Sequence, residues 1–359
     1  MSTTVPFCSR CSKNHAVMTR YSGEQVCKAC FLREIEDKVR KTMARYKMLD
    51  ASDKLALAVS GGKDSTVLTR IVAKNHANLL DRQARNGCPP VAITIDEGIA
   101  RYRAESIDIA KHTCVDLGID HVVFSFKDEF GMDLDDMIAA MASDEFQAKI
   151  EEKQPEGQLK NAFKIIGKPC SICGVLRRRV LNDLAAGLHA TKLATGHNLN
   201  DEAETFLINL FKGDVNRMGR AGAVLSEDEA APFVKKIKPL QDVPQQDIVL
   251  YLYYIGGDFQ DNPCPYARDN VFRGEARGML ARLEGNHPGT LFNIKKFMDV
   301  VYPVLATITN QKQFTECIKC GAPKSKDLDV CMACYYVDAI CGRDYATVMR
   351  SFIERFGNS

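Results

Sequence analysis

The stretch LALAVSGGKDSTVLTRIVAKN, from Leu55 to Asn75, decides the fold of this chain. Its first residues, Leu55 to Val59, form an apolar run typical of a buried strand, and we expect a helix to begin near Asp64 or Ser65. The glycines between them let the backbone approach a phosphate closely, and a helix N-terminus presents unpaired N–H groups to an anion. The sequence therefore predicts a phosphate-binding loop between a strand and a helix.

The loop residues carry the groups that a phosphate needs: Ser60, Gly61, Gly62, Lys63, Asp64 and Ser65. The amine of Lys63 adds a positive charge, and the hydroxyl groups of Ser60 and Ser65 can donate hydrogen bonds to phosphate oxygens. The spacing matches neither G-x-x-x-x-G-K-[ST] nor G-x-G-x-x-G. A Gly-rich turn without a ligand would not require these polar residues.

The segments around the loop alternate between strands and helices. Further strands are predicted in VAITIDEGI (91–99), HVVFSF (121–126) and TKLATGHN (191–198). Such alternation predicts an α/β fold with a parallel sheet, covered on both faces, that binds ligands at the carboxyl ends of its strands. Helices are expected at about Phe31–Leu49, Tyr102–Leu117, Gly174–Leu188, Pro244–Tyr254, Phe272–Leu283 and Leu291–Val300.

Eight of the fourteen cysteines form two sets of paired C-x-x-C motifs near the ends of the chain. Four thiolates at this spacing can close a tetrahedral zinc site. So small a segment has too little core to fold alone, and a structural zinc contributes roughly 10–16 kcal/mol of apparent folding energy. The predicted zinc ligands are Cys8, Cys11, Cys27 and Cys30 in the first set and Cys317, Cys320, Cys331 and Cys334 in the second.

Composition indicates a globular, cytoplasmic protein in three parts. No apolar run approaches the roughly 20 residues of a membrane span, and no signal peptide is evident, so we expect no membrane partner. The net charge of +2 favours no partner, but residues 1–47 are rich in Lys and Arg and residues 128–158 in Asp and Glu. A basic face for a polyanion and ordinary solvated faces both explain this pattern. The predicted parts are an N-terminal zinc finger (1–31), a central α/β domain (32–308) and a C-terminal zinc finger with a helical tail (309–359).

A third cysteine set lies in KPCSICGVLRRRV (168–180) and DNPCPYA (261–267). Cys170, Cys173 and Cys264 make three ligands rather than four. Their spacing leaves three possibilities open: a redox-active pair, a zinc site with a further ligand, or an iron–sulfur cluster with one iron free of cysteine. The other cysteines are predicted to be ordinary buried thiols: Cys88, Cys114 and Cys341.

The hexad SGGKDS (60–65) resembles the signature of the PP-loop ATP pyrophosphatases, which cut ATP between the α and β phosphates and leave AMP on a substrate oxygen. The order of the other motifs resembles the tRNA uridine 2-thiolation enzymes, the TtuA group of the TtcA-like family. The matching motifs run from about Phe7 to Cys334 and are the first zinc set, SGGKDS, IDEGI, PCSICGVLRR, TGHNLNDEAET, CPYA, FRGEAR and the second zinc set.

The resemblance implies that Cys170, Cys173 and Cys264 hold a 4Fe-4S cluster whose fourth iron binds hydrosulfide. It also implies that ATP, with Mg²⁺, adenylates the C2 oxygen of a tRNA uridine, that sulfur attacks C2, and that AMP leaves. The sulfur donor of relatives is a ubiquitin-like thiocarboxylate protein or free sulfide, and a homodimer is expected by analogy. The wobble position 34 is the favoured target, and position 54 is the alternative.

Individual residues receive roles from the same resemblance. The loop Ser60–Ser65 would hold the ATP phosphates, the backbone of Ile95 would contact adenine with Asp96 beside it, and Gly196 would allow close approach of the nucleotide. Asp201 is expected to be catalytic, together with Lys63 of the loop; its alternative role is to stabilise a helix N-terminus.

Other residues near these motifs are less specific. His197 is expected to be structural, and Asn200 stands where many relatives carry a second acidic residue, which weakens a metal-binding role there. Arg177 lies one helical turn after Cys173 and is expected to reach nucleotide phosphates or a sulfur-bearing anion. Five basic residues are candidates for contacts with the tRNA backbone or equally for ordinary exposed charge: Arg178, Arg179, Lys235, Lys236 and Lys238.

Two other functions remain alternatives at this point. A cytidine 2-thiolase of the same superfamily lacks the double zinc-finger frame, and a non-catalytic zinc-finger scaffold that binds RNA would have no use for SGGKDS or the third cysteine set. The resemblance leaves the insertion after Ala142 and the helical tail from Asp344 unexplained, and the stretch after Arg220 is predicted to be a loop.

Overall fold

The computed structural model describes residues 5–146, 148, 169–219, 233–269, 271–309, 315–324 and 329–357. Most of the insertion after Ala142 and of the loop after Arg220 lies outside these ranges. The strands are β1 (Met18–Thr19), β2 (Gln25–Val26), β3 (Leu55–Ala58), β4 (Val91–Asp96), β5 (Asp120–Ser125), β6 (Lys192–Ala194), β7 (Lys235–Ile237), β8 (Thr315–Glu316) and β9 (Pro323–Lys324).

The helices, which form most of the remaining structure, surround the strands. They are α1 (Lys28–Arg45), α2 (Lys63–Asn75), α3 (Ala77–Arg85), α4 (Arg103–Leu117), α5 (Phe126–Phe130), α6 (Leu134–Met141), α7 (Pro169–Gly187), α8 (Leu199–Phe211), α9 (Val215–Gly219), α10 (Gln245–Ile255), α11 (Val271–Asn286), α12 (Thr290–Thr309), α13 (Met332–Cys341) and α14 (Tyr345–Gly357), with a 3-10 turn at Pro265–Asp269. Among the described helices, none is both long enough and apolar enough to cross a membrane.

Five strands form one parallel sheet in the order β5-β4-β3-β6-β7. The chain runs from β3 to β4 and β5 on one side, and then returns to β6 and β7 on the other side. The strand order therefore reverses between β3 and β6, and sheets of this kind bind ligands in the crevice beyond the carboxyl ends of such strands. The α/β fold with a parallel sheet that the sequence predicts is confirmed.

Each face of the sheet has its own core, because successive residues of a strand point to opposite faces. Leu55 and Leu57 pack with the N-terminal cysteine module, α1, α2 and α10. Ala56, between them, packs with α6, α7, the C-terminal cysteine module and α14. The two cysteine modules, each with a two-stranded antiparallel ribbon, therefore cover opposite faces of one sheet.

Several elements differ from the sequence-based predictions. The helix predicted from Gly174 begins at Pro169, which places the C-x-x-C pair in its first turn. The helix predicted to end near Val300 continues to Thr309. The segment Lys235–Ile237, for which the sequence suggests tRNA contacts or exposed charge but no strand, is the edge strand β7. The domain boundary predicted at residue 31 falls inside α1.

Candidate functional site

The loop between β3 and α2 is held in one shape by its own side chains. The hydroxyl of Ser65 donates to the carbonyl of Gly62 at 3.0 Å and accepts from the amide of Ser60 at 3.1 Å. Gly61 has a φ of +76°, and a Cβ there would lie 1.8 Å from the carbonyl oxygen of Ser106. Since α2 begins directly after Gly62, the N–H groups of its first turn are available to a phosphate bound at this loop.

The segment after β6 packs directly against this loop. A Cβ at Gly196 would lie 3.0 Å from the amide nitrogen of Ser65. The side-chain amide of Asn198 donates to Asp64 Oδ1 at 2.9 Å, and Asp64 Oδ2 lies 2.9 Å from Lys63 Nζ. The Asp64 carboxylate therefore joins the two loops at the point where the strand order reverses.

Asp201 has the helix-capping contacts that the sequence offers as its alternative role. Its amide donates to Asn198 Oδ1 at 3.0 Å, and its carboxylate accepts the amide of Asn198 at 3.2 Å. Arg273 Nη2 also contacts Asp201 Oδ1 at 3.2 Å, and a quarter of the Asp201 side chain stays exposed. His197 contacts Thr195 Oγ1 at 2.8 Å, and the residue is exposed.

The end of β4 is engaged by contacts within the protein. The guanidinium of Arg103 donates to the carbonyl of Ile95 and, at 3.2 Å, to the carbonyl of Ser60. Asp96 Oδ1 accepts the amide of Gly98 at 2.9 Å. If the carbonyl oxygen of Ile95 contacted adenine, it would still accept the hydrogen bond from Arg103. The carboxylate of Asp96 stabilises the turn after the strand.

The third cysteine set lies beside the same crevice. Cys170 and Cys173 are in the first turn of α7, and Cys170 Sγ lies 3.1 Å from the carbonyl oxygen of Tyr266, two residues after Cys264. Cys173 and Cys264 both pack against the core on this face of the sheet. Helix α7 is thus in direct contact with the segment that contains Cys264. In the sequence, only their cysteines suggest that the two are related.

The segment that carries Cys264 also contacts the phosphate loop. The amide of Gln260 donates to the carbonyl of Gly61 at 3.2 Å, and the side chain of Gln260 donates to the carbonyl of Tyr102. The phosphate loop and the three cysteines therefore border one crevice.

Sulfur spacing separates the third cysteine set from the two terminal sets. Around one tetrahedral zinc, with Zn–S bonds of about 2.3 Å, the sulfurs lie about 3.8 Å apart. The terminal sets have this spacing, with 3.8 Å between Cys11 and Cys27 and 3.9 Å between Cys317 and Cys334. Among the described residues, only the terminal sets bring three or more potential ligand atoms within 4.8 Å of one another. The wider third set fits a group with several irons, each bound by its own thiolate, better than a single zinc ion.

The environment of Cys173 favours its neutral thiol form when no cation is bound. Burial raises the pKa of Cys173 to about 12, and the neighbouring Glu97 carboxylate raises it as well. A half-buried thiol with a raised pKa is ionised only with a cationic partner such as a metal. The residues of the third set therefore fit a metal centre.

Arg179, one of the candidates for contact with the tRNA backbone, contacts the C-terminal cysteine set. The amide of Cys331 donates to Cys317 Sγ at 3.2 Å, and Arg179 Nη2 lies 3.8 Å from Cys320 Sγ. Arg179 is only 14% exposed and pairs with Asp183 at 2.8 Å. N–H groups directed at sulfur stabilise the charge of metal-bound thiolates, so Arg179 supports this module rather than presenting its charge to a partner.

The other candidate RNA-contacting residues differ in their surroundings. Lys238 pairs with Glu202 at 2.9 Å, which offsets its charge. The pKa of Lys236 is lowered by burial and by the charges of Arg178 and Lys238, and Arg178 is exposed near the charges of Arg177 and Arg217. Lys235 lies on the same edge strand. Positive charge therefore accumulates around Arg178 and Lys236, a feature suited to an anionic partner.

Several residues of the site were not identified from the sequence. Glu97 and Tyr266 lie inside the quoted motifs IDEGI and CPYA, and Arg273 lies inside FRGEAR, so the motifs themselves were the available signal. Asn198 stands three residues before Asp201, the spacing of a capping box. Arg103 has no such signal, because its partners belong to other elements.

Known proteins are similar to this chain along most of its length. Residues 12–144 match the model of the PP-loop domain. The chain is 33% identical over 351 residues to tRNA 2-thiolation protein NcsA of Haloferax volcanii, across 93% of this chain and 98% of that protein. It is 32% identical over 335 residues to cytoplasmic tRNA 2-thiolation protein 1 of Chlamydomonas reinhardtii, across 93% of this chain and 84% of that protein.

A solved structure extends the similarity to three dimensions. The U34-tRNA thiolase NcsA from Methanococcus maripaludis, with its [4Fe-4S] cluster, matches with a TM-score of 0.67 and 29% identity, over 93% of this chain and 96% of that one. The family expected from the motifs is thereby confirmed. Since the chain is 33% identical to one of these proteins across 93% of its length, it belongs to the PP-loop family of tRNA 2-thiolation proteins.

Proposed function

We propose that this chain is an ATP-dependent tRNA 2-thiouridine synthetase that acts at the wobble position 34. The observation that carries the proposal is the shared crevice of the phosphate loop and the three cysteines, joined by the hydrogen bond from Gln260 to Gly61. An enzyme that activates an oxygen with ATP and replaces it by sulfur must present both reactants to one atom. The relatives named for tRNA 2-thiolation and for U34 support the substrate and the position.

The first step is adenylation of uridine. The C2 oxygen attacks the α phosphorus of ATP as N3 loses its proton and a C2=N3 double bond forms. The bond from that phosphorus to the bridging oxygen breaks, and pyrophosphate leaves. The loop Ser60–Ser65 and the N-terminus of α2 hold the phosphates, and Lys63 and Mg²⁺ offset the negative charge of the leaving group. Asp201, a quarter exposed at the crevice, is the carboxylate that we assign to the substrate.

The second step replaces oxygen by sulfur. Hydrosulfide attacks C2, the C2–O bond breaks, and AMP leaves. The hydrosulfide proton passes to N3 as the C2=S bond forms, so that uridine becomes 2-thiouridine. Cys170, Cys173 and Cys264 would hold a 4Fe-4S cluster, which supplies one iron without a cysteine ligand as a place for inorganic sulfur. Arg177, half-exposed beside Cys173, would stabilise the negative charge of the incoming sulfur.

The remaining parts of the molecule would serve binding. Two Zn²⁺ ions would occupy the terminal cysteine sets, and Arg178 and Lys236 would contact the tRNA backbone. The sulfur donor would be a ubiquitin-like thiocarboxylate protein or free sulfide. A homodimer in the cytoplasm is the proposed working form, and the name of the Chlamydomonas reinhardtii relative supports the cytoplasm.

Anaerobic reconstitution tests the proposal. The wild-type protein should carry about four irons per chain in addition to zinc, and with tRNA, ATP, Mg²⁺ and sulfide it should form 2-thiouridine and AMP. Cys264→Ala should lose the iron and the product, whereas the control Cys88→Ala, outside every cysteine set, should keep both.

Nucleoside mass spectrometry separates the competing functions. An iron-free protein that forms 2-thiouridine would reject the cluster assignment. Formation of 2-thiocytidine would replace this proposal by a cytidine 2-thiolase. A protein that binds tRNA but forms no thiolated nucleoside would be the non-catalytic scaffold.

A further inference from the structure

Glu97, between β4 and α4, is a buried carboxylate with two arginine partners. Its side chain is 3% exposed, Oε2 lies 2.7 Å from Arg103 Nε, and Oε1 lies 3.2 Å from Arg177 Nε. The contact with Arg103 is an ion pair without the alignment of a hydrogen bond, and within the described part of the chain Oε2 accepts no hydrogen bond. An unpaired buried charge is costly, so the two arginines offset the charge of this carboxylate.

The two arginines are held very differently. Arg103 is 7% exposed, and its guanidinium donates to the carbonyls of Ser60 and Ile95, at the ends of β3 and β4, and to the Ser106 hydroxyl. Arg103 is therefore anchored to the rigid sheet.

Arg177, by contrast, is 54% exposed, and Glu97 is its ion-pair partner. It projects from α7 beside Cys173, whose sulfur it can hydrogen-bond. A long, half-exposed side chain has many rotamers, so the contact with Glu97 decides where its charge lies.

We propose that Glu97 is a positioning residue: anchored to the sheet through Arg103, its carboxylate holds the Arg177 guanidinium beside Cys173, where the sulfur anion binds. This inference rests on the proposed function, and it assigns to IDEGI a role in sulfur binding rather than in binding ATP alone.

Two roles of Glu97 predict opposite changes in anion affinity when its carboxylate is replaced by a neutral group. In one role Glu97 acts through its negative charge, and in the other it acts by holding Arg177 in position. Removal of a buried negative charge makes the surroundings of Cys173 more positive, which by itself would tighten the binding of an anion. If Glu97 acts by holding Arg177, its loss lets the guanidinium turn towards solvent, and anion binding weakens. The sign of the change therefore distinguishes the two roles.

The test is a titration of the anaerobically reconstituted holoprotein with sodium hydrosulfide, followed by the visible absorption of the cluster. Glu97→Gln and Arg177→Gln should each weaken hydrosulfide affinity by about tenfold, and the double variant should bind no more weakly than Arg177→Gln alone, because contacting residues that act as a unit are not additive. The matched control is Glu129→Gln, since Glu129 on α5 is 15% exposed and pairs with a half-exposed arginine, Arg355, on α14.

A second variant covers the case in which Glu97→Gln does not fold. Glu97→Asp keeps the charge and the pairing with Arg103 but shortens the reach to Arg177, so it should also weaken hydrosulfide binding by several-fold. Unchanged or tighter binding in the Glu97 variants, or additive losses in the double variant, would overturn the inference while the proposed function stands. A wild-type protein that assembles no cluster responsive to hydrosulfide would overturn the proposed function and this inference with it.

Discussion

Gly61 has a backbone conformation that other residues rarely adopt, at a place with no room for a side chain. Its φ is +76°, and a Cβ would lie 1.8 Å from the carbonyl oxygen of Ser106. A non-glycine residue in this region is strained by about 1–2 kcal/mol, and the clash adds to it, so we expect Gly61→Ala to lower the free energy of unfolding by about 2 kcal/mol or more. ATP affinity should fall at least tenfold, because the loop must move. Chemical denaturation and calorimetric titration with ATP measure the two effects.

Gly87 provides the matched control for this substitution. Its φ is also +76°, but nothing lies within 4 Å of an added Cβ. Gly87→Ala should therefore show only the conformational strain, about 1 kcal/mol, with unchanged ATP affinity. Equal effects of the two substitutions on ATP binding would contradict the steric role of Ser106.

At the residue scale, local chemistry was predictable and distant pairing was not. The phosphate loop could be identified because the properties of glycine and of a helix N-terminus are local. The partners of Glu97 depend on how α4 and α7 pack against the sheet, which no local pattern encodes. For this reason the sequence points to Asp96, whereas its neighbour Glu97 is the residue with two arginine partners.

At the scale of elements, a buried ion pair joins the N-terminal ribbon to α10. Arg20, 7% exposed, contacts Asp247, 2% exposed, through both terminal nitrogens at 2.7 and 2.8 Å. Asp247→Asn leaves the arginine charge buried, and since Glu34 remains as a second partner at 3.0 Å, we expect a loss near the lower end of the usual range, about 3 kcal/mol. Zinc should also leave the N-terminal cysteine set faster when a chelator is added, as an absorbance assay would measure.

An exposed pair in the neighbouring helix serves as the control. Arg40 and Asp37, both on α1, are 58% and 41% exposed and lie 2.6 Å apart. Pairs of this kind contribute less than about 1 kcal/mol, so Asp37→Asn should leave stability and zinc release nearly unchanged. If Asp247→Asn behaved like Asp37→Asn, the ribbon would not depend on this contact.

Elements with strong local patterns were predicted better than short ones. The strand Leu55–Ala58 and the helix Lys63–Asn75 follow from an apolar run and from helical periodicity. The strand β7 has three residues, two of them lysines, and its identity comes from pairing with β6, so the sequence alone does not suggest a strand there. The early start of α7 had a local signal, because proline is favoured in the first turn of a helix.

On the scale of the whole molecule, each cysteine module is part of the core on its own face of the sheet. The core that contains Cys317, Cys331 and Cys334 also contains the buried face of α7 and residues of α14. The N-terminal end of α7 carries Cys170 and Cys173. A metal bound by the C-terminal set therefore supports the helix that presents two of the three proposed cluster ligands.

Removal of that metal should consequently affect more than the module itself. Cys331→Ala should lower the zinc content from two ions to one per chain and unfold the C-terminal module, since a structural zinc contributes roughly 10–16 kcal/mol, comparable with the whole stability of a domain. Elemental analysis, limited proteolysis of α14 and the iron content after reconstitution measure the result, and the iron content should fall as well. Cys341→Ala is the control, because burial raises the pKa of Cys341 to about 11 and keeps it a neutral thiol in the same core. A Cys331→Ala protein that lost one zinc yet kept its full iron content and resistance to protease would show that α7 does not depend on the C-terminal metal.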